Sequence, residues 1–309
     1  MGSLDIENVS QTLEIIPGNF GRLEYTDLLF YDWHRGTGQF WETTEKGSIK
    51  LLGSPHKIRR QTLKVIAGDF CKPDITDLLF YDWARGEGEF YTTDRKGGIR
   101  KLGSTHKGWR RTWKIVSGKF SRSEYADLLF YDWNDEDCAR FYTTDGKGDM
   151  EWLKGSGFAP SVYFFPSTVE IIPSKFSSNR TDDLLLYDWA KGRGEFYKTD
   201  GEGNIKPLGS PHEDWSQTLK IVPGNFSDSN YSDLLFYDWH KGTGQFYTTT
   251  GKGGIKLLGS PHEDLGIFLK IVPGKFSSGY TDLLFYDWYN GKIQFYETDG
   301  IGGLSPLQV

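Results

Sequence analysis

Cysteine is almost missing from this chain, with only Cys71 and Cys138 among 309 residues. The two sit at non-equivalent places, which excludes a disulfide framework and leaves two free thiols as the expectation. Basic residues form no block: 36 Lys and Arg stand against 42 Asp and Glu, a formal charge of −6, and they are spread along the chain. That distribution argues against a nucleic-acid partner or an anionic membrane surface. No run of 18 apolar residues occurs, so no helix inserts in a membrane. Met1 to Ser10 lacks the basic and apolar regions of a signal peptide, so a cytoplasmic location is expected, with non-classical secretion left open. Sequons at Asn8, Asn179, Asn225 and Asn230 matter only on a secretory route. Helical periodicity is also missing, which removes helical solenoids from consideration.

What is present is repetition. Asp-Leu-Leu-Phe-Tyr-Asp-Trp begins at Asp27, Asp77, Asp127, Asp233 and Asp282, with Asp-Leu-Leu-Leu-Tyr-Asp-Trp at Asp183, at steps of 50, 50, 56, 50 and 49 residues. Within the fifth unit, Thr218 to Gly224 alternates as a strand does, and Asn225 to Ser232 is a polar loop. Leu234 to Tyr237 is an apolar run of central-strand type. A turn at His240 to Gly244, a strand at Gln245 to Thr249, a turn at Gly251 to Gly254 and a strand at Ile255 to Leu258 complete the unit. Glycine at 38 residues and proline at only 12 suit short strands joined by tight turns.

Four antiparallel strands in about 50 residues make a propeller blade. The expected fold is therefore all-β, a six-bladed β-propeller forming a single domain over 1–309, with repeats near 11–54, 61–104, 111–155, 167–210, 217–260 and 267–309. Because the start of the chain is similar to an inter-repeat connector, closure by packing the first repeat on the last and a latch in which an N-terminal strand joins the final blade are both open.

The segment Gly68-Asp69-Phe70 through Thr76-Asp77-Leu-Leu-Phe-Tyr-Asp82, followed by Gly-x-Gly-x-Phe-Tyr-Thr-Thr-Asp94, resembles the FG-GAP/VCBS repeat. Among proteins with that repeat, it is most similar to the propeller lectins of the Psathyrella velutina and Photorhabdus type. In calcium-binding members the loop reads Asp-x-Asn/Asp-x-Asp-Gly-x-x-Asp, because Ca²⁺ needs six to eight converging oxygens. Here the first position is Asn19, Asp69, Lys119, Lys175, Asn225 and Lys275, and Leu23, Cys71, Pro73 and Gly279 occupy middle positions. Neither a metal nor a cofactor is expected; the surviving Asp27, Asp77 and their equivalents should cap a metal-free turn.

Strand parity puts the loops after strands two and four on one face. That face carries Trp33, Trp83, Trp133, Trp189, Trp239 and Trp288, together with the connectors bearing His56, His106, His212 and His262 and the nearby Trp109 and Trp215. Aromatic planes beside fixed polar groups suit carbohydrate. The resemblance implies the same, so a multivalent lectin with glycan partners and up to four inter-blade sites is expected, and an oligomer is compatible with it. A protein-binding scaffold is the alternative from the same face. No Ser/His/Asp elbow, His-x-x-x-His pair or phosphate loop appears, and symmetry argues against an enzyme. A catalytic pocket would belong in the central tunnel or where the repeat breaks, at Asn134 to Cys138 and Phe158 to Phe165.

Overall fold

The computed structural model describes residues 4–5 (main chain), 11–22, 24–44, 47–58, 61–134, 139–155, 167–277 and 279–307. The fold is a six-bladed β-propeller whose blades are four-stranded antiparallel sheets. Blade 1 comprises Leu13–Gly18, Asp27–Asp32, Thr37–Thr43 and Ile49–Lys57. Blade 2 comprises Leu63–Gly68, Asp77–Asp82, Glu87–Thr93 and Ile99–Lys107; blade 3, Trp113–Gly118, Asp127–Asp132, Ala139–Thr144 and Met150–Trp152. In blade 4 the strands are Val169–Ser174, Asp183–Asp188, Arg193–Thr199 and Ile205–Pro207. Blade 5 holds Leu219–Gly224, Asp233–Asp238, Thr243–Thr249 and Ile255–His262, and blade 6 holds Leu269–Gly274, Asp282–Asp287, Lys292–Thr298 and Leu304–Pro306. Packing divides the chain into two compact units. One, Arg60–Trp215, contains blades 2 to 4; the other, Met1–Arg59 with Ser216–Val309, contains blades 1, 5 and 6.

The repeated Asp-Leu-Leu-Phe-Tyr-Asp forms the second strand of each blade and is buried along its whole length in blades 1 to 5, and up to Tyr286 in blade 6. Alternation sends its residues to opposite sheet faces, and in blades 3 and 6 both faces meet other blades of the same unit. In the first unit, Leu79, Tyr81 and Phe90 of blade 2 pack on Leu128 and Phe130 of blade 3. Leu129, Tyr131 and Phe141 of blade 3 pack in turn on Leu184, Leu186 and Tyr197 of blade 4. In the second unit, Leu235 and Phe246 of blade 5 meet Leu283 and Phe285 of blade 6, and Tyr286 and Phe295 of blade 6 meet Leu28 and Phe30 of blade 1. Each such side chain, fully buried, contributes about 1.5–3 kcal/mol.

The loop after the first strand adds a main-chain clasp between blades. Asp69 O accepts from Ala126 N at 2.9 Å, Lys119 O from Asp182 N at 2.6 Å, Asn225 O from Thr281 N at 2.8 Å, and Lys275 O from Thr26 N at 2.8 Å. These acceptors are the first loop positions, where calcium-binding repeats need a carboxylate. Their contribution here is a carbonyl, so Asp, Asn and Lys serve equally.

Blade 6 is completed differently. Its fourth strand ends at Pro306, and Leu4–Asp5 continues the same edge by pairing with Ile293 and Lys292. In blade 1 the matching positions Gly38 and Thr37 pair with His56 and Lys57. The latch is therefore the arrangement that forms, within the unit holding blades 1, 5 and 6. Elsewhere a connector residue covers the small residue of the third strand: Ile58 lies on Gly38, Trp109 on Gly88, Trp215 on Gly194 and Leu265 on Gly244. Blade 6 fills that space from its own strand, with Ile293 in place of glycine and buried.

The opening Asp of each repeat is wholly buried. Asp27 accepts from Gly21 N at 2.6 Å and Thr43 N at 2.9 Å, so it ties the first loop to the end of the third strand. Asp127 takes Ser121 N at 2.6 Å and Ser121 Oγ at 3.0 Å. Burial pushes both carboxyls up to about 6, against the opposing pull of these hydrogen bonds. Asp77, Asp183, Asp233 and Asp282 are raised by burial in the same way.

Two outcomes follow. A carboxyl raised above its unfolded value of 3.8 favours folding fully below that value, and the benefit is lost as pH climbs through about 6. Thermal melting should therefore occur at higher temperature at pH 5 than at pH 7.5. Asp127→Asn should flatten that slope, whereas Asp127→Ala, which strips Ser121 N of its acceptor, should cost about 1–3 kcal/mol at either pH. Separately, a Cβ on Gly88 would lie 2.2 Å from the Trp109 ring. Gly88→Ala should destabilise by about 1–3 kcal/mol, and chemical denaturation should show Trp109→Ala relieving part of that loss in the double variant.

Candidate functional site at the hairpin face

The hairpin between the second and third strands is shaped by the Asp of Asp-Trp. Asp32 Oδ1 accepts from the main-chain N–H of His34 and Arg35, both at 3.0 Å, and from Thr12 Oγ1 at 2.8 Å. Gly36 closes the turn onto Asp32 O at 2.8 Å, in a left-handed conformation at φ 62° that suits glycine. Asp238 repeats the pattern with His240 N and Lys241 N at 3.1 Å each. Burial opposes its charge, but hydrogen bonds from Thr218 and Ser216 keep the carboxyl below the usual range. The carboxylate is thus committed to the turn. The indole next to it is not: Trp33 N bonds back to Thr12 O at 3.3 Å, and the side chain is turned outward.

Four of the six hairpin tryptophans are exposed: Trp33 at 42%, Trp83 at 39%, Trp189 at 47% and Trp239 at 50%. Trp133 and Trp288 are partly covered, Trp133 against the core of blades 3 and 4 and Trp288 edge-on to Phe268 at 5.0 Å. Beside Trp288 the sequence reading missed Tyr289, 67% exposed and stacked on Phe268 at 5.0 Å. Its only sequence signal is an aromatic residue where other hairpins carry His, Ala or Asn. Arg35, Arg85, Lys191 and Lys241 stand over the same turns, 3.5–3.7 Å from the capping carboxylates.

The Gly-Ser-Pro-His and Gly-Ser-Thr-His segments, read from sequence as connectors, are the outer half of the fourth strand in blades 1, 2 and 5. The third strand pairs past a bulge, so that Gly38 faces His56, Gly88 faces His106 and Gly244 faces His262. In blade 4 a separate bridge joins Gly194 and His212. The bulge lets an already paired strand run on to the hairpin, a change of register that residue patterning does not reveal.

All four histidines lie edge-on to a buried Phe of the third strand, at 5.6–5.8 Å. His106 Nε2 bonds Gly148 O at 2.8 Å in blade 3, and His262 Nε2 bonds Gly302 O at 2.7 Å in blade 6. Trp109 is buried, stacked on His106 and edge-on to Phe130 at 4.9 Å. Trp215 is half-buried on Gly194 and stacked on His212 at 5.2 Å. Chain and hairpin meet directly on this face: Trp109 N bonds Gly86 O, Trp215 N bonds Gly192 O, and Leu265 N bonds Gly242 O, at 2.8–3.0 Å.

Among the described residues no three His, Cys, Asp or Glu side chains converge as metal ligands do. Cys71 is a half-buried free thiol. Of the places where the repeat breaks, 135–138 and 156–166, which include Cys138 and the Phe158 to Phe165 segment, lie outside the described residues.

No family model matches the sequence, and no curated relative matches it. Solved structures do match in fold. An Agrocybe aegerita lectin, described for its specific recognition of non-reducing terminal N-acetylglucosamine, aligns with a TM-score of 0.61 at 10% identity, over 97% of this chain and 80% of its own. A triple arginine-to-alanine mutant of AofleA from Arthrobotrys oligospora aligns with a TM-score of 0.61 at 9% identity, over 100% and 90%. Virginiamycin B lyase from Staphylococcus aureus, in complex with quinupristin, gives 0.52 at 14% identity, over 100% and 88%. At such identities the likeness is one of fold, and that fold is used both by a lectin and by a lyase.

Proposed function

We propose that this chain is a multivalent carbohydrate-binding protein whose sugar platforms are the exposed hairpin tryptophans. The observation that carries the reading is the repeated exposure of Trp33, Trp83, Trp189 and Trp239 on turns that their neighbouring Asp makes rigid. An indole kept half in water has lost part of the stabilisation that burial would provide. Its flat face suits the C–H face of a pyranose, and a held turn limits the entropy lost on binding.

The two best-supported sites are the groove of blades 2 and 3, with Trp83 and Arg85, and that of blades 5 and 6, with Trp239, His240 and Lys241. Their histidines, His106 and His262, act as clamps that hold the adjoining blade rather than as sugar contacts. Trp109 serves as packing. We read the repeat as FG-GAP/VCBS-like with its calcium loop converted into the main-chain clasp. A lectin reading is also supported by the fold shared with the Agrocybe aegerita protein. Equivalent platforms recur, which fits several weak sites acting together better than one catalytic pocket.

Titration with a monosaccharide panel, read by tryptophan fluorescence and by competition on a glycan array, tests this. Binding at millimolar sugar with more than one site per chain is expected. Trp83→Ala and Trp239→Ala should each remove part of the signal while changing stability by less than about 0.5 kcal/mol, as surface substitutions do. If no sugar at that concentration competes or alters the fluorescence, the reading is wrong.

A further inference from the structure

Blade 3 breaks the repeat in one consistent way. Arg140 pairs with Phe130 just as Gln39 pairs with Phe30, Glu89 with Phe80, Glu195 with Leu186, Gln245 with Phe236 and Gln294 with Phe285. In those other blades the polar side chain is bonded within its own sheet. Gln39 Nε2 donates to Phe40 O at 2.7 Å and Leu52 O at 3.3 Å, and Gln245 Nε2 to Phe246 O at 2.8 Å and Leu258 O at 3.2 Å. Glu89 holds Lys101 at 2.8 Å, and Glu195 holds Arg193 at 2.7 Å. Arg140 is exposed, and among the described residues its guanidinium makes no ion pair; its contact is with the ring of Trp152, whose centroid lies 5.6 Å away.

Trp152 is the second departure. It faces Tyr142 across the sheet where Leu51, Lys101, Pro207, Leu257 and Pro306 face the corresponding aromatic residues, and it is 46% exposed. Tyr142 lies against Phe130 at 5.0 Å, so an aromatic series runs from the core to an open indole at the sheet edge. Alternation places Thr143 and Glu151 on the opposite face of the sheet, so Glu151 does not share a face with Arg140.

We propose that Trp152 and Arg140 form a second, non-repeated sugar subsite that takes a carboxylate-bearing pyranose, a hexuronic acid. The indole offers the stacking plane. The guanidinium offers a planar fork of donors that fits a carboxylate in two parallel hydrogen bonds. A neutral sugar would meet only the plane. The choice of a sugar as ligand rests on the carbohydrate reading above, but the residues are separate from the hairpin platforms.

The test uses the full chain and two probes that differ only at C6, methyl β-D-glucuronide and methyl β-D-glucoside, by calorimetry at low salt. The glucuronide should bind at least tenfold more tightly, and added sodium chloride should erode that advantage. Arg140→Gln and Trp152→Leu install residues that blade 1 carries at the same positions, so the fold should tolerate them; both should abolish the preference. Trp83→Ala and Trp239→Ala should weaken glucoside binding at the hairpin platforms and leave the tight glucuronide binding in place. Equal affinity for the two probes, or a preference that survives Arg140→Gln, overturns the proposal. So does competition by acetate as effective as by the glucuronide, which would mark a bare anion site. Loss of neutral-sugar binding in the hairpin variants, with no glucuronide preference in the native chain, would refute this subsite and leave the hairpin reading standing.

Discussion

Each central strand of this protein is apolar on both faces, and the architecture depends on that constraint. A sheet with one buried face needs one cover; a sheet with two needs cover on both sides, and within each unit here it is supplied by other blades. Leu, Phe and Tyr of the second strand alternate between the blade before and the blade after, as Leu128 and Phe130 do on one side and Leu129 and Tyr131 on the other. A single blade would leave both such faces in water. Stability is consequently shared between neighbours, and the smaller devices at the blade margins refine the fit.

Those devices show how a repeat keeps its geometry while its side chains drift. The first loop position is Asp69, Lys119, Asn225 or Lys275 in four of the repeats, and the main-chain clasp that it supplies there is the same. The residue covering the third strand is Ile58, Trp109, Trp215 or Leu265, and a glycine beneath each makes the room. In blade 6 the glycine is replaced by Ile293, which is itself buried and fills the space from its own strand. These pairs vary together because they share one volume.

Polar and aromatic groups of the hairpin face differ in how they are held. Asp32 and Asp238 accept from main-chain N–H groups of their turns, and His106 and His262 each commit Nε2 to a main-chain carbonyl, which gives rigidity to the face. The hairpin indoles, with Tyr289 and Trp152, remain partly in solvent. On the carbohydrate reading proposed above, the polar groups that hold the scaffold are the structural part of the repeat, and the aromatic planes that it presents are the recognitional part.

The sequence by itself determined the number of blades, the order of strands and the burial of Leu-Leu-Phe-Tyr, since each follows from local alternation and spacing repeated six times. It also placed Asp-Trp on the hairpin face by parity. Tertiary structure decided what local pattern cannot encode. The third-strand bulge turned Gly-Ser-Pro-His into strand, because pairing depends on a partner distant in sequence. Packing buried Trp109 while leaving Trp83 exposed, although both are tryptophans at a strand end. Only the assembled sheet brought Arg140 to Trp152, twelve residues apart in the chain and neighbours at its edge.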